Sequence, residues 1–238
     1  MKIRIYLDIL DENNPVLTED NVHYLLHVLK ITSGTRIFLF NHLRELECIA
    51  YVEKKNIAIS VVKCDEIWEK LPNIHLVQAV LKGDKMCDIM GNSVQLGMTE
   101  FTAITTQNCH IRNINLERIT LVAKSTLQQC GGQILPQIHP LSSFSSFFSQ
   151  DFSKSIILYG DLSQNSGNIS TVLRKISSLS FDKIFVIIGP EGGFSDEETQ
   201  QLRGISNGIG IQIGSRIMRA ESAATSLMTF ANLCYNFS

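Results

Sequence analysis

From residue 74 onward, strand-sized apolar runs alternate with helical segments, and this alternation constrains the fold more than any other feature of the chain. Residues 74–81 are apolar enough for a buried strand. Residues 84–96 carry Met86, Ile89, Met90 and Val94 at helical spacing and stop at Gly97, a residue suited to the left-handed position that closes a helix. Residues 101–105 read as the next strand and 116–130 as the next helix, closed by Gly131 and Gly132. Three more strands are expected at 156–159, 183–188 and 209–213, and a last helix over 221–236. Alternation of this kind forms a mostly parallel sheet with helices on both faces, so residues 71–238 are expected to be α/β. In 141–155, Leu141, Phe144, Phe148 and Phe152 recur at helical spacing, which predicts a packed helix rather than a serine-rich linker.

The first seventy residues follow another pattern. Thr18 caps a helix with Glu19 and Asp20 in its first turn and Val22, Leu25, Leu26 and Leu29 on one face. After Gly34, residues 36–41, 45–52 and 57–63 read as strands joined by short polar turns. One helix among several antiparallel strands predicts a small closed barrel over 1–70, with 68–72 as linker.

Composition narrows the function classes. Of 238 residues, 44% are apolar and 18% charged, which supports a sizeable core and excludes global disorder. Lys and Arg total 21 against 23 acidic residues, a net charge of −2 that excludes a polybasic protein. The balance is even, with 9 basic and 11 acidic groups in 1–70 and 12 of each in 71–238. No apolar run approaches the roughly 18 residues of a membrane span. Asp8, Asp11 and Glu12 interrupt any signal-peptide core, so a cytoplasmic protein without membrane attachment is expected. The six cysteines lie 16 or more residues apart and the six histidines show no ligand spacing, so reduced thiols and no metal are expected.

Two loops carry the chemistry. Residues 189–195, Gly-Pro-Glu-Gly-Gly-Phe-Ser, leave a buried strand and enter a helix through a capping box of Ser195 with Glu198. Glycines at such a turn let backbone N–H groups approach a ligand closely. No Gly-Lys-Ser/Thr or Gly-x-Gly-x-x-Gly pattern is present, so the loop is not a known phosphate or dinucleotide cradle. A tight turn without ligand is the plain alternative. Residues 214–223 place Arg216, Arg219 and Glu221 between a strand and an apolar helix. Arg219 and Glu221 are either catalytic or a structural ion pair. Both loops leave the carboxyl ends of strands consecutive in the chain, which predicts one shared pocket.

The pair of loops, 189–198 and 213–223, resembles that of the RsmE-type 16S ribosomal RNA uridine N3-methyltransferases, members of the SPOUT class. Lys82-Gly83-Asp84-Lys85-Met86, Gln95-Leu96-Gly97 and Gln128-Gln129-Cys130-Gly131 are similar to further segments of the family, as are His27-Val28-Leu29-Lys30, Gly34 and Leu39-Phe40-Asn41. The resemblance implies a mostly parallel C-terminal sheet with a trefoil knot formed by about 156–238, in a methyltransferase domain over 71–238. It also implies a PUA-like RNA-binding β-barrel over 1–70 and a homodimer. The implied methyl donor is S-adenosylmethionine, without a metal, and the implied acceptor is N3 of a uridine in 16S rRNA within the small ribosomal subunit. Cofactor-binding positions carried over are Leu158, Gly189, Pro190, Glu191, Gly192, Ile213, Gly214, Ile217, Met218 and Ala220. RNA-binding positions are His27, Lys30, Lys82, Lys85 and Arg216.

Uridine N3 carries its proton at neutral pH, so the acceptor needs help to lose it or stabilisation of the charge that develops. Arg219 suits a developing imidate because its guanidinium is a fork of donors. Glu221 is expected to orient Arg219, with Glu191 as the alternative base. The family's usual Glu is Gln95, Gln107 and Gln128 here, and its usual Arg is Asn108 and Gly132. Loss of both charge signs predicts a neutral network in which Gln95, Gln128 and Asn108 lie together. Two other functions compete: a SPOUT enzyme acting on another RNA such as tRNA, and a non-catalytic RNA-binding or ribosome-assembly paralogue. Intact cofactor loops favour an enzyme over the latter.

Overall fold

In the computed structural model, residues 2–54, 56–161, 169–177 and 179–236 are described, and they divide into two units. The first comprises 1–70 with 124–135, and the second 71–123 with 136–238. Residues 162–168 of the segment expected to be knotted lie outside the described residues.

The first unit contains β1 (Ile3–Tyr6), α1 (Glu19–His23), β2 (Thr35–Phe40), β3 (Arg44–Glu53) and β4 (Asn56–Glu66). They form a four-stranded sheet in that order, with β1 parallel to β2 and the other pairs antiparallel. Thr18 caps α1 by accepting the Asn21 N–H at 3.2 Å, and α1 runs into a π-helical turn, Tyr24–Val28. That turn buries Leu25 against Ile5, Ile37, Leu39, Leu46 and Cys48. The stretch 124–135 is held to β1 by polar contacts. Arg4 Nη1 donates to the carbonyls of Leu127 (3.1 Å) and Gly132 (2.7 Å), and the Tyr6 N–H donates to Gln128 Oε1 (2.9 Å). The same guanidinium pairs with Glu45 at 2.6 Å and lies 4.0 Å from the Phe40 ring centroid.

From residue 74 the chain alternates β5 (Ile74–Ala79), α2 (Lys85–Gln95), β6 (Glu100–Thr105), α3 (Leu116–Cys130, whose residues from Lys124 belong to the first unit), β7 (Gln137–Ser143), α4 (Phe144–Phe147), β8 (Ser155–Gly160), α5 (Ile169–Ser177), β9 (Lys183–Ile188), α6 (Asp196–Gly204), β10 (Gly208–Ile211) and α7 (Ala220–Asn236). All six strands are parallel, in the order β10-β8-β9-β5-β6-β7. Every residue of β5 is buried, as its central place requires. Gly97 closes α2 as expected: it stands at φ +74°, and the Met98 N–H reaches back to the Ser93 carbonyl at 3.0 Å.

The helix expected over 141–155 does not form. Residues up to Ser143 belong to β7, and only Phe144–Phe147 is helical. Phe144, Phe147, Phe148 and Phe152 are all buried in a mutual ring cluster. Their spacing thus records burial in a compact loop, which Ser143 and Asp151 tie through bonds to the N–H groups of Ser146 and Ser153. The Ser143 bond caps the single turn of α4, whereas the Asp151 bond gives the backbone after it an alternative to helix.

Candidate functional site

The chain leaves the sheet three times at one end, after β8, β9 and β10, and these exits surround a cavity of about 920 Å³. Its walls come from 159–161, 187–194 and 211–223, with Lys85 from the start of α2 and Leu227 from α7. Crevices at the carboxyl ends of strands are where α/β sheets bind ligands. In the sheet, β8 stands between β9 and β10, so the two sequence-predicted loops meet over its end. Gly189, Pro190, Glu191, Gly192, Ile213, Gly214, Ile217, Met218, Ala220, Arg216, Arg219, Glu221 and Lys85 all line the cavity. Leu158 does not: it is fully buried within β8, and the next residues, Tyr159, Gly160 and Asp161, form the wall instead. The run of three at a strand end was the available signal for them.

The first loop is a tight turn closed by the Gly193 N–H on the Pro190 carbonyl at 2.9 Å, with Gly193 at φ +71°. Its entry into α6 is the expected capping box, in which Ser195 Oγ accepts the Glu198 N–H and Glu198 Oε2 accepts the Ser195 N–H. Glu198 Oε1 also accepts the Gln107 N–H at 2.8 Å, tying the loop after β6 to this one. Gly192 approaches that same loop closely. A Cβ there would sit 3.1 Å from Asn108 Cβ, so the close neighbour is protein rather than ligand. Asn108 Nδ2 donates to the carbonyls of Gly192 and Gly193.

Glu191 and Lys85 form an ion pair at 2.8 Å. Burial pushes the Glu191 carboxyl up, but the Lys85 ammonium and the backbone N–H groups of Glu191 and Lys82 outweigh it and hold it below the usual carboxylate range. The bond to Glu191 in turn raises Lys85. A carboxylate so engaged is a poor proton acceptor. Arg219 and Glu221 do not pair: among the described residues no ion pair joins them. Arg219 is the residue whose carbonyl accepts the first bond of α7, from Ala223, and Glu221 stands two positions later. Side chains two apart on a helix face different ways. Arg219 is left exposed, and Glu221 Oε2 is buried without a hydrogen-bond partner. Sequence alone offered no sign of that orphaned oxygen, because it depends on what surrounds the helix start.

The positions expected to contact RNA are split between the units. His27 and Lys30 are exposed in the first, and Lys82, Lys85 and Arg216 belong to the second. The expected amide network is absent. Gln128 Oε1 serves Tyr6 in the first unit, Gln95 Nε2 bonds the Gly91 carbonyl of its own helix, and Asn108 serves the glycine loop. Each amide bonds backbone groups and none bonds another of the three.

Three comparisons bear on identity. Residues 69–232 match the RNA methyltransferase domain family. Ribosomal RNA small subunit methyltransferase E of Rickettsia conorii is 30% identical, over 93% of this chain and 91% of its own length. The protein of the same name from Buchnera aphidicola (subsp. Acyrthosiphon pisum) is 31% identical, over 95% and 91%. Among solved structures, a Legionella pneumophila methyltransferase with bound SAM superposes with a TM-score of 0.80 at 26% identity, covering 96% of each chain. Ribosomal RNA small subunit methyltransferase E of Neisseria gonorrhoeae shares the fold, with a TM-score of 0.81 at 23% identity over 96% of this chain and 95% of that one. A chain matched over two-thirds of its length by one family, and nearly end to end by these relatives, belongs to the RNA methyltransferase family, in the branch of the small-subunit ribosomal RNA methyltransferases E.

Proposed function

We propose that this chain is an S-adenosylmethionine-dependent methyltransferase that modifies N3 of a uridine in 16S rRNA, acting on the small ribosomal subunit as a cytoplasmic homodimer. In this reading a trefoil knot within about 156–238 shapes the cofactor pocket, and the segment 1–70 is a PUA-like RNA-binding barrel. The carrying observation is the single cavity that both glycine-containing loops build at one end of the parallel sheet. Its volume of about 920 Å³ lies within the roughly 300–1,000 Å³ of small-molecule pockets. The bound SAM of the Legionella relative supports the choice of ligand.

The residues fit that ligand. Backbone groups of 189–193 and 213–218 and the apolar side chains of Ile187, Ile211, Ile213 and Leu227 offer the polar edge and flat walls that an adenosine needs. The buried, unpartnered Glu221 oxygen awaits a donor or a cation. When bound, the cofactor supplies an electrophilic methyl carbon. Arg219, exposed at the cavity wall, stabilises negative charge as it spreads onto the two carbonyl oxygens flanking the acceptor nitrogen. Glu191 stays bound to Lys85 and is not the base. Glu221, which lines the same cavity, is the carboxylate assigned to receive the N3 proton, and its buried Oε2 is not the atom that meets the substrate.

Single-turnover assays on small subunits test these roles. Arg219→Lys and Glu221→Gln are each expected to lower the rate by about 100- to 1,000-fold. Calorimetry should find cofactor affinity for Arg219→Lys close to that of the parent. A parental rate in Arg219→Lys would make that residue structural. Mass-spectrometric mapping of the rRNA product names the nucleotide and its methylated atom, and modification of tRNA instead would move the enzyme to another substrate.

A further inference from the structure

At the end of the sheet opposite the cavity, four neighbouring strands bring together His75 (β5), Glu100 (β6), His139 (β7) and Lys183 (β9), none of which the methyl-transfer site uses. His75 Nδ1 lies 3.3 Å and His139 Nε2 3.0 Å from the same oxygen, Glu100 Oε2. One ligand-type atom from each of these three residues lies within 4.8 Å of the other two. We propose that His75 Nδ1, Glu100 Oε2 and His139 Nε2 form a binding site for a divalent transition-metal ion, best matched by zinc, with water in the fourth position.

Distances support the assignment. Ligands about 2.0–2.1 Å from a tetrahedral zinc ion stand roughly 3.3 Å apart. Two of the separations here are already 3.3 and 3.0 Å. His75 is only 5% exposed, yet its Nδ1 has no hydrogen-bond partner. Its other nitrogen, Nε2, is 2.8 Å from Thr102 Oγ1. In the tautomer that donates Nε2–H to Thr102, Nδ1 carries a bare lone pair beside a carboxylate. That contact is repulsive without a cation between them, and with one it becomes ligation. The surroundings match a metal's outer shell, in which ligands are themselves oriented. Thr102 fixes the His75 ring, Lys183 Nζ bonds the remaining Glu100 oxygen, and Phe147 and Phe185 pack against the imidazole. Partial exposure of the side chains of His139 (30%) and Glu100 (18%) leaves a route from solvent. Two neutral imidazoles and one carboxylate suit zinc better than magnesium or calcium, which prefer oxygen. The Lys183 charge opposes the ion, so affinity should be moderate and should rise when that charge is removed.

The full-length protein, stripped with chelator, would be titrated with zinc by calorimetry and with cobalt by visible absorption. One ion per chain is expected, with the intense absorption of four-coordinate cobalt. His139→Ala and Glu100→Gln should each weaken binding at least 10-fold, while Lys183→Gln should tighten it several-fold. Circular dichroism would verify folding, and His139→Gln is a milder second variant. Zinc should also raise the unfolding temperature of the parent and not that of the His139 variants. No binding, or unchanged affinity in the His139 and Glu100 variants, would overturn the proposal. So would loss of binding in His23→Ala, which would place the ion on the surface pair His23–His27, whose rings lie 4.7 Å apart. None of these readouts depends on cofactor binding, so the methyltransferase reading stands or falls separately.

Discussion

At the level of single residues, Gly192 shows how a side chain's absence is used. A Cβ there would press on Asn108 Cβ at 3.1 Å, in the loop that also supplies two hydrogen bonds to the glycine turn. Gly192→Ala should therefore lower stability by about 1–3 kcal/mol through overpacking and weaken cofactor binding indirectly by moving the turn. Combining it with Asn108→Gly should recover part of the stability, and a double-mutant cycle in urea measures the coupling. Additive effects would show that the two residues do not meet. The glycine itself was legible in the sequence as a place of close approach. What approaches it was not, because Asn108 comes from a loop 84 positions away in the chain. Glu221 makes the same point: its type and place were readable, while the lack of a partner for Oε2 emerges only when α7 is packed.

Among the elements, α6 has the clearest local code and a less visible long-range task. Ser195 and Glu198 are a capping box that the sequence spells out, and the structure contains both of its bonds. Glu198 also accepts the Gln107 N–H from the loop after β6 while being only 9% exposed. Glu198→Ala removes the cap and strands a backbone donor, so a loss of about 1–3 kcal/mol is expected from urea unfolding. Glu198→Gln should retain much of the stability, since an amide oxygen can still accept. The phenylalanine segment after β7 shows the opposite case, a helical spacing without a helix. Rings at 144, 148 and 152 satisfy the same periodicity whether the chain coils regularly or folds into a ring cluster. Periodicity reports which side chains are buried, and the backbone leaves the helix after one turn, where Asp151 binds the Ser153 N–H.

For the whole molecule, the first unit depends on a segment remote in sequence. Arg4 joins the carbonyls of Leu127 and Gly132 to Glu45, with its side chain only 5% exposed. Arg4→Met strands the Glu45 carboxylate and is expected to cost about 3–5 kcal/mol, with faster amide exchange in 124–135. Adding Glu45→Met should recover much of that loss. With a net charge of −2, binding to RNA cannot rest on bulk attraction. Assembled small subunits should therefore be methylated faster than protein-free rRNA, and equal rates in a single-turnover comparison would contradict this. By itself the sequence determined the alternation of strands and helices, the α6 cap, the Gly97 stop and the two loops of the cavity, because each depends on neighbours within a few residues. Only the tertiary structure decided that β8 stands between β9 and β10, that 124–135 joins the first unit, that Glu191 pairs with Lys85, and that Arg219 pairs with no carboxylate among the described residues. It also brought His75, Glu100 and His139 onto three adjacent strands. Strand order and long-range pairing are set by which surfaces bury against each other, and local periodicity carries no record of that choice.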